Sequence, residues 1–243
     1  ILDRPNPVGG SMVEGPVLEP QYRSFVGVYS IALRHGMTLG ELAGMFNDAF
    51  GIQAGLRIIP MRGWERSMFW PDTGLSWIAS SPNIPTWKTA LLYPCTGLAG
   101  TAGLNNGTGT PNPFWYAGRY QMDPQRYAAA LNARKLPGVY FRPATWSPLY
   151  GFWANKNLGG VELQVFEPRV FLAVRTAVEL LVTAREIMPS AISVSDQHGI
   201  DIIWGTDSLR RGLIEGEDAD AIVAAWNPGV AAFRSLRSKY LLY

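Results

Sequence analysis

Residues 24–29 (Ser-Phe-Val-Gly-Val-Tyr) and 56–61 (Leu-Arg-Ile-Ile-Pro-Met) are short, rich in β-branched and aromatic side chains, and bounded by turn residues, so both read as strands. Between them Thr38 and Glu41 have capping-box spacing. Leu39, Leu42, Ala43, Phe46 and Phe50 follow on one helical face, with Gly51 as the stop. Strand, helix and strand in that order predict a parallel, right-handed crossover, because a right-twisted strand feeding a helix packs back on its sheet with that hand. The predicted fold class at the front of the chain is therefore α/β.

The remainder reads differently. Residues 63–118 are rich in Pro, Gly, Asn and Thr, with one helical turn predicted at 86–92, and the interleaved Trp64, Phe69, Trp70, Trp77 and Trp87 argue for ordered loops rather than disorder. Asp123-Pro124 is an N-cap followed by Pro at the first helical position, opening a helix to Arg134. Strands are expected at 139–142 and 161–166. A long helix is expected over 168–188, carrying Phe171, Val174, Val178 and Leu181 and stopping at Pro189. Three short helices start near Thr206, Asp218 and Asn227, the last with Val230, Phe233, Leu236 and Tyr240 on its buried face. Residues 1–105 are thus expected to be the closing portion of a Rossmann-like domain with its binding loops, and residues 106–243 a smaller α+β domain.

At the very front only Ile1 and Leu2 precede a loop dense in Asp, Asn, Pro and Gly, so the chain reads as entering a domain in mid-course, after most of a strand. The 21 Lys and Arg against 19 Asp and Glu give a net charge of +2 with no basic stripe, so no nucleic-acid partner is expected. Cys95 stands alone, and His35 and His198 are too few for a histidine cluster; no disulfide, metal or other cofactor is expected. No apolar run approaches the roughly 20 residues of a membrane span.

The chemistry-bearing candidates are carboxylates and amides near aromatic and Gly-rich loops, since the chain has no phosphate-binding Gly-rich loop, nucleophile elbow or metal-binding histidine pair. Glu14, between Val13 and Gly15-Pro16, could act as general acid or base, or could pair with Arg4. Asp3 could contact a ligand or shape its own loop. His35 precedes the capped helix, where it could meet an anion or fasten the loop, and Glu41 is better explained by the capping box than by catalysis. Asn83, in the stiff Ser81-Pro82-Asn83-Ile84-Pro85-Thr86 loop, offers a donor and an acceptor suited to a sugar hydroxyl or acetamido group. Trp64, Trp70 and Trp77 read as packing.

The strings Asp3-Arg4-Pro5-Asn6-Pro7, Val13-Glu14-Gly15-Pro16, His35-Gly36-Met37-Thr38, Ser81-Pro82-Asn83-Ile84-Pro85-Thr86 and Leu136-Pro137-Gly138-Val139 together resemble the NamZ-type exo-β-N-acetylmuramidase family over essentially the whole chain. The resemblance implies a bacterial cell-envelope hydrolase that removes terminal N-acetylmuramic acid from peptidoglycan-derived saccharides, needing neither metal nor nucleotide. It implies Glu14 as a catalytic residue and a second carboxylate in a Pro-Glu-His-Gly motif that this chain lacks; Asp3, Asn6, His35 and Asn83 are the candidate substrate contacts beside Glu14. The resemblance places that motif in a preceding Rossmann-like portion; that portion or a homo-oligomer partner is the protein partner expected. Where the family has an Arg-Gly-Thr stretch, this chain has Thr108-Gly109-Thr110. The rival expectation is a non-catalytic, glycan-binding envelope protein derived from the same family; a nucleotide-dependent Rossmann enzyme would require a Gly-rich strand-to-helix turn that is absent.

Overall fold

The computed structural model describes residues 1–194 and 197–243, with 197 and 198 as backbone only. It is a mixed α/β molecule with two small sheets. Local signals account for many elements. In α1 (Leu39–Ala49) the Thr38 hydroxyl accepts from the Glu41 amide at 3.3 Å, and the Glu41 carboxylate accepts from the Thr38 amide at 2.9 Å. Asp123 caps α4 (Pro124–Ala133) from one side only, accepting from the Arg126 amide at 3.0 Å.

The front sheet pairs β1 (Glu14–Val17) antiparallel with β2 (Ala32–Arg34). The second sheet has β5 (Leu158–Val165) at its centre, antiparallel to both β3 (Tyr116–Tyr120) and β4 (Val139–Trp146). Pro143 lies in β4, an edge strand, where a missing N–H does least damage to the ladder. Gly118 and Gly159 let β3 and β5 close on one another: a Cβ on Gly118 would stand 2.2 Å from the Gly159 carbonyl oxygen.

Around these sheets the helices are α2 (Trp87–Leu92), a π turn (Tyr93–Gly97), α3 (Leu98–Gly100), α5 (Ala173–Ile187), α6 (Gln197–Trp204), α7 (Ser208–Glu215), α8 (Ala219–Ala224) and α9 (Asn227–Arg237). α4 packs on β4 and β5, and α5 packs on α4 and on the π turn, so α5 is enclosed on nearly every side, as a helix apolar around most of its circumference must be. Phe141, Leu163, Leu131, Phe171, Leu180, Leu181 and Trp204 meet there in one large core. A smaller core joins Val13, Ala32, Met37 and Met45 to Phe233 of α9, with Val230, Leu236 and Tyr240 against it. Among the described residues no helix is long and apolar enough to cross a membrane.

Three expectations are revised. Residues 24–29 form no sheet strand: Ser24 and Gly27 close on each other, the Ser24 hydroxyl accepts from the Val26 amide at 3.3 Å, and Phe25 is fully exposed. The parallel pairing across α1 joins Leu2 to Ile59 in a single bridge, and the regular sheets are antiparallel. Residues 63–118 are not loops throughout, because α2, the π turn and α3 run together from Trp87 to Gly100 with Leu91, Leu92, Cys95 and Leu98 buried. Pro94, Gly97 and Gly100 interrupt the helical signal in the sequence, and a wider π turn is what accommodates a proline inside a helix.

Candidate functional site

Residues 2–14 leave the Leu2–Ile59 bridge, loop under α1 and enter β1, and they carry three of the predicted site residues. Glu14 faces Arg34 across the β1–β2 pair, and the Arg34 Nη1 donates to Glu14 Oε1 at 2.6 Å. The amide of Ala173 donates to the same oxygen and that of Val174 to Oε2, both at 3.2 Å. The carboxylate therefore sits at the N-terminus of α5, where the unpaired first-turn amides and the helix dipole favour an anion. It is 10% exposed and lines a cavity of about 310 Å³ with Arg175, Trp226, Asn227 and Arg234. Its ion-pair partner is Arg34, not Arg4, whose guanidinium donates to the Asp3 carbonyl.

Arg34 links Glu14 to the loop before it. Its guanidinium also donates to the Phe171 carbonyl at 3.0 Å and the Val8 carbonyl at 2.9 Å, while its Nε–H is buried with no partner among the described residues. Arg34, Asn6, His35, Gly36 and Tyr93 border a cleft of about 200 Å³. Asn6 shapes this wall, donating to the Met37 carbonyl at 3.0 Å and accepting from the Val8 amide at 3.1 Å. The His35 Nδ1 accepts from the Met37 amide at 3.1 Å, which assigns the neutral ring's proton to Nε2. Burial, with Arg237 beside it, lowers the His35 pKa to about 4 against the pull of Glu41, so the ring is uncharged at neutral pH. His35 thus fastens the loop and presents a neutral Nε2–H.

Asp3 lies beneath, 2% exposed, with every lone-pair direction used. Oδ1 accepts from the amides of Gly40 at 2.8 Å and Arg4 at 2.9 Å, and Oδ2 from the hydroxyls of Thr38 at 2.7 Å and Tyr243 at 2.8 Å. Burial alone would raise its pKa; the bonds from Gly40, Thr38 and Tyr243 outweigh burial and hold it below the usual carboxylate value. Asp3 is a framework residue that ties the loop to the start of α1. Next to it Glu41 pairs with Arg66 and accepts from the Leu242 amide, and Arg237 donates to the carbonyls of Gly10, His35 and Gly36. Gly36, at φ +61°, is required there, since a Cβ would meet the backbone carbonyl oxygens of Met12 at 2.6 Å and Gly10 at 2.7 Å. Burial, then Arg66 and Arg234, lower the Arg237 pKa to about 10.

The structure thus gathers Glu14, Asn6 and His35 around Arg34, sets Asp3 under them, and places Asn83 elsewhere, its Oδ1 accepting from the Tyr150 hydroxyl at 3.1 Å. Arg34 and Arg237 are the residues that sequence reasoning missed. Arg34 adjoins the His35-Gly36 motif, but its role follows from a strand pairing that no local signal announces. Trp64 packs edge-to-face on Tyr243 and Trp70 on Trp77, consistent with packing roles.

Residues 1–88 match the family model described as exo-beta-N-acetylmuramidase NamZ, N-terminal, and residues 91–243 the one described as exo-beta-N-acetylmuramidase NamZ, C-terminal. The chain is 37% identical over its 243 residues to the peptidoglycan beta-N-acetylmuramidase NamZ of Bacillus subtilis (strain 168), and it spans 59% of that relative's length. A crystal structure of a DUF1343 family protein from Bacteroides fragilis NCTC 9343 superposes with a TM-score of 0.92 at 32% identity, covering 99% of this chain and 65% of its own. A second from the same organism gives 0.74 at 28%, over 100% and 66%.

Proposed function

Because the chain belongs to the NamZ family of exo-β-N-acetylmuramidases, we propose that it takes part in releasing terminal N-acetylmuramic acid from peptidoglycan fragments in the bacterial cell envelope, with Glu14 as a catalytic carboxylate. The observation that carries this reading is Glu14 itself: a carboxylate at a cavity wall, fixed by Arg34 and two helix amides, in the Val-Glu-Gly-Pro string that links the chain to the family. Hydrolysis of a glycoside needs an acid and a second group, either another carboxylate or the substrate's own acetamido oxygen. An anchored Glu14 suits the base or stabilising role, while the neutral His35 offers a donor to a substrate oxygen along the neighbouring cleft with Asn6. Asp3 acts on the substrate only by holding this loop, and Asn83 serves as a more distant contact. In this reading residues 1 to about 105 close a Rossmann-like domain, whose parallel character survives in the Leu2–Ile59 bridge.

The test is release of chromophore from a chromogenic N-acetylmuramic acid glycoside by the complete protein and by Glu14→Gln. The variant is expected to lose at least about 100-fold in kcat, the scale of a positioned acid or base. Equal release by both would remove Glu14 from the mechanism, and a melting temperature measured alongside separates lost chemistry from lost anchoring of α5.

A further inference from the structure

The near-neutral total charge hides an uneven distribution. Between residues 73 and 161 the chain has seven Lys and Arg but one acidic residue, Asp123. Within that span Arg134 and Arg142 are paired with glutamates from later in the chain, whereas Arg119 and Lys156 have no carboxylate partner among the described residues: the Arg119 guanidinium donates to the Ser190 carbonyl and lies 5.3 Å from the Trp153 ring, and the Lys156 ammonium lies 6.0 Å from the Tyr120 ring. Tyr120 stacks on Trp153 at 6.0 Å, Phe152 touches Trp153 at 5.0 Å, and Tyr150 reaches Asn83. Tyr120, Tyr150 and Phe152 are 40%, 54% and 59% exposed. Tyr150 and Phe152 thus keep more than half of their surface open to solvent.

The loop that carries them is held rigidly. Leu149 donates to the Gly109 carbonyl at 2.8 Å, Asn155 to Pro148 at 2.7 Å, and Asn105, itself the acceptor for Trp146, donates to the Phe152 carbonyl at 2.8 Å. Trp153 and Asn155 are kept at φ +69° and +59°, a conformation that costs a non-glycine residue energy and that collects at ligand-binding segments. The Trp153 Nε1–H is buried with no acceptor among the described residues. A fixed set of open ring faces, with cations that have no acid beside them among the described residues, matches a ligand with flat C–H faces and negative charge.

We propose that this face, formed by residues 147–157 with Tyr120 and Arg119, binds a glycan strand bearing carboxylates, through contacts separate from Glu14. Pyranose rings stack on Tyr150 and Phe152, and the strand's carboxylates lie toward Lys156 and Arg119. The contact holds the protein on polymeric substrate and does not depend on bond cleavage. It is tested by co-sedimentation with resin-coupled glycan strands freed of their stem peptides, so that the lactyl carboxylates are exposed, using the complete protein, Glu14→Gln, and a Phe152→Ala/Lys156→Ala double variant. The expected result is equal pelleting of the first two and at least about 5-fold weaker pelleting of the double variant. That variant should melt within a few degrees of the parent and release the small chromogenic glycoside at the parental rate. Parental binding by the double variant, or no binding by the parent, overturns the proposal without touching the muramidase reading. If a single-stranded oligonucleotide binds the face as tightly as the glycan does, the glycan assignment is overturned in favour of a general polyanion surface.

Discussion

Around α5, Val178, Leu180, Leu181 and the facing Leu131, Phe141 and Leu163 are sealed from water, and one of the few polar links is the Tyr127 hydroxyl donating to the Leu180 carbonyl at 2.7 Å. Around Asp3, by contrast, the buried contacts are nearly all polar and charged, running from Asp3 through Thr38, Tyr243, Glu41 and Arg66 to Arg237. Apolar burial is non-directional and scales with area, so the centre can relax around a changed side chain. Hydrogen bonds are directional, and a half-satisfied buried network is worse than none. The difference explains a division of labour: the centre supplies stability, and the front fixes the backbone of the loops that carry Asn6, Glu14 and His35.

Three measurements probe that division. Phe141→Ala, which empties a ring-sized volume at the centre, should cost about 4 kcal/mol in denaturant unfolding, whereas Phe141→Leu should cost less than about 2. A loss under 1 kcal/mol for the alanine variant would mean that the centre is not the main store of stability. Asp3→Asn should cost about 2–3 kcal/mol, because an amide nitrogen would face the Thr38 and Tyr243 hydroxyls or the Gly40 amide. Its pH dependence has a definite sign. The Asp3 carboxyl is held below its usual value, so its contribution is full above about pH 4 and fades as pH falls through the folded-state value, and the gap between parent and variant should narrow in acid. A gap independent of pH would show that the network senses shape and not charge.

The effect smallest at neutral pH concerns His35. Its folded value of about 4 lies below its ordinary 6.5, so the unfolded chain takes up the proton first. Stability should be undiminished above pH 6.5, fall as pH drops from 6.5 to 4, and level off below. His35→Gln should flatten that interval of a melting-temperature profile while changing little at pH 7.5. An unchanged slope would place the acid sensitivity of the front in another group.

What was legible in the sequence follows the same line. The caps of α1 and α4, the strands at 139 and 161, α5 and the Phe233 face of α9 were readable, because capping, periodicity and proline stops act over a few residues. The turn at Ser24–Gly27 was misread as a strand, since an apolar run does not reveal that its own ends bond to each other. Trp87 to Gly100 was read too short because proline and glycine masked a helix that tertiary packing sustains. At the site, the residue types were visible but their partners were not: Glu14 meets Arg34 from 20 residues away and the α5 amides from 159 and 160.

Tyr243 shows what such distances entail for assembly. Its hydroxyl donates to Asp3 and accepts from the Met61 amide at 2.7 Å, and its carbonyl oxygen accepts from Arg66 at 3.2 Å, so the loop at the front is completed by a residue 240 positions later. Contacts of such long range are entropically late, because the intervening chain must be ordered before they are rewarded. Within these residues the segment carrying Asp3 is made well before Tyr243 and waits for it, so ordering of the Glu14 neighbourhood should come late in folding, and Tyr243→Phe, which removes the hydroxyl that bonds Asp3, should slow it more than an equally small change in a surface loop.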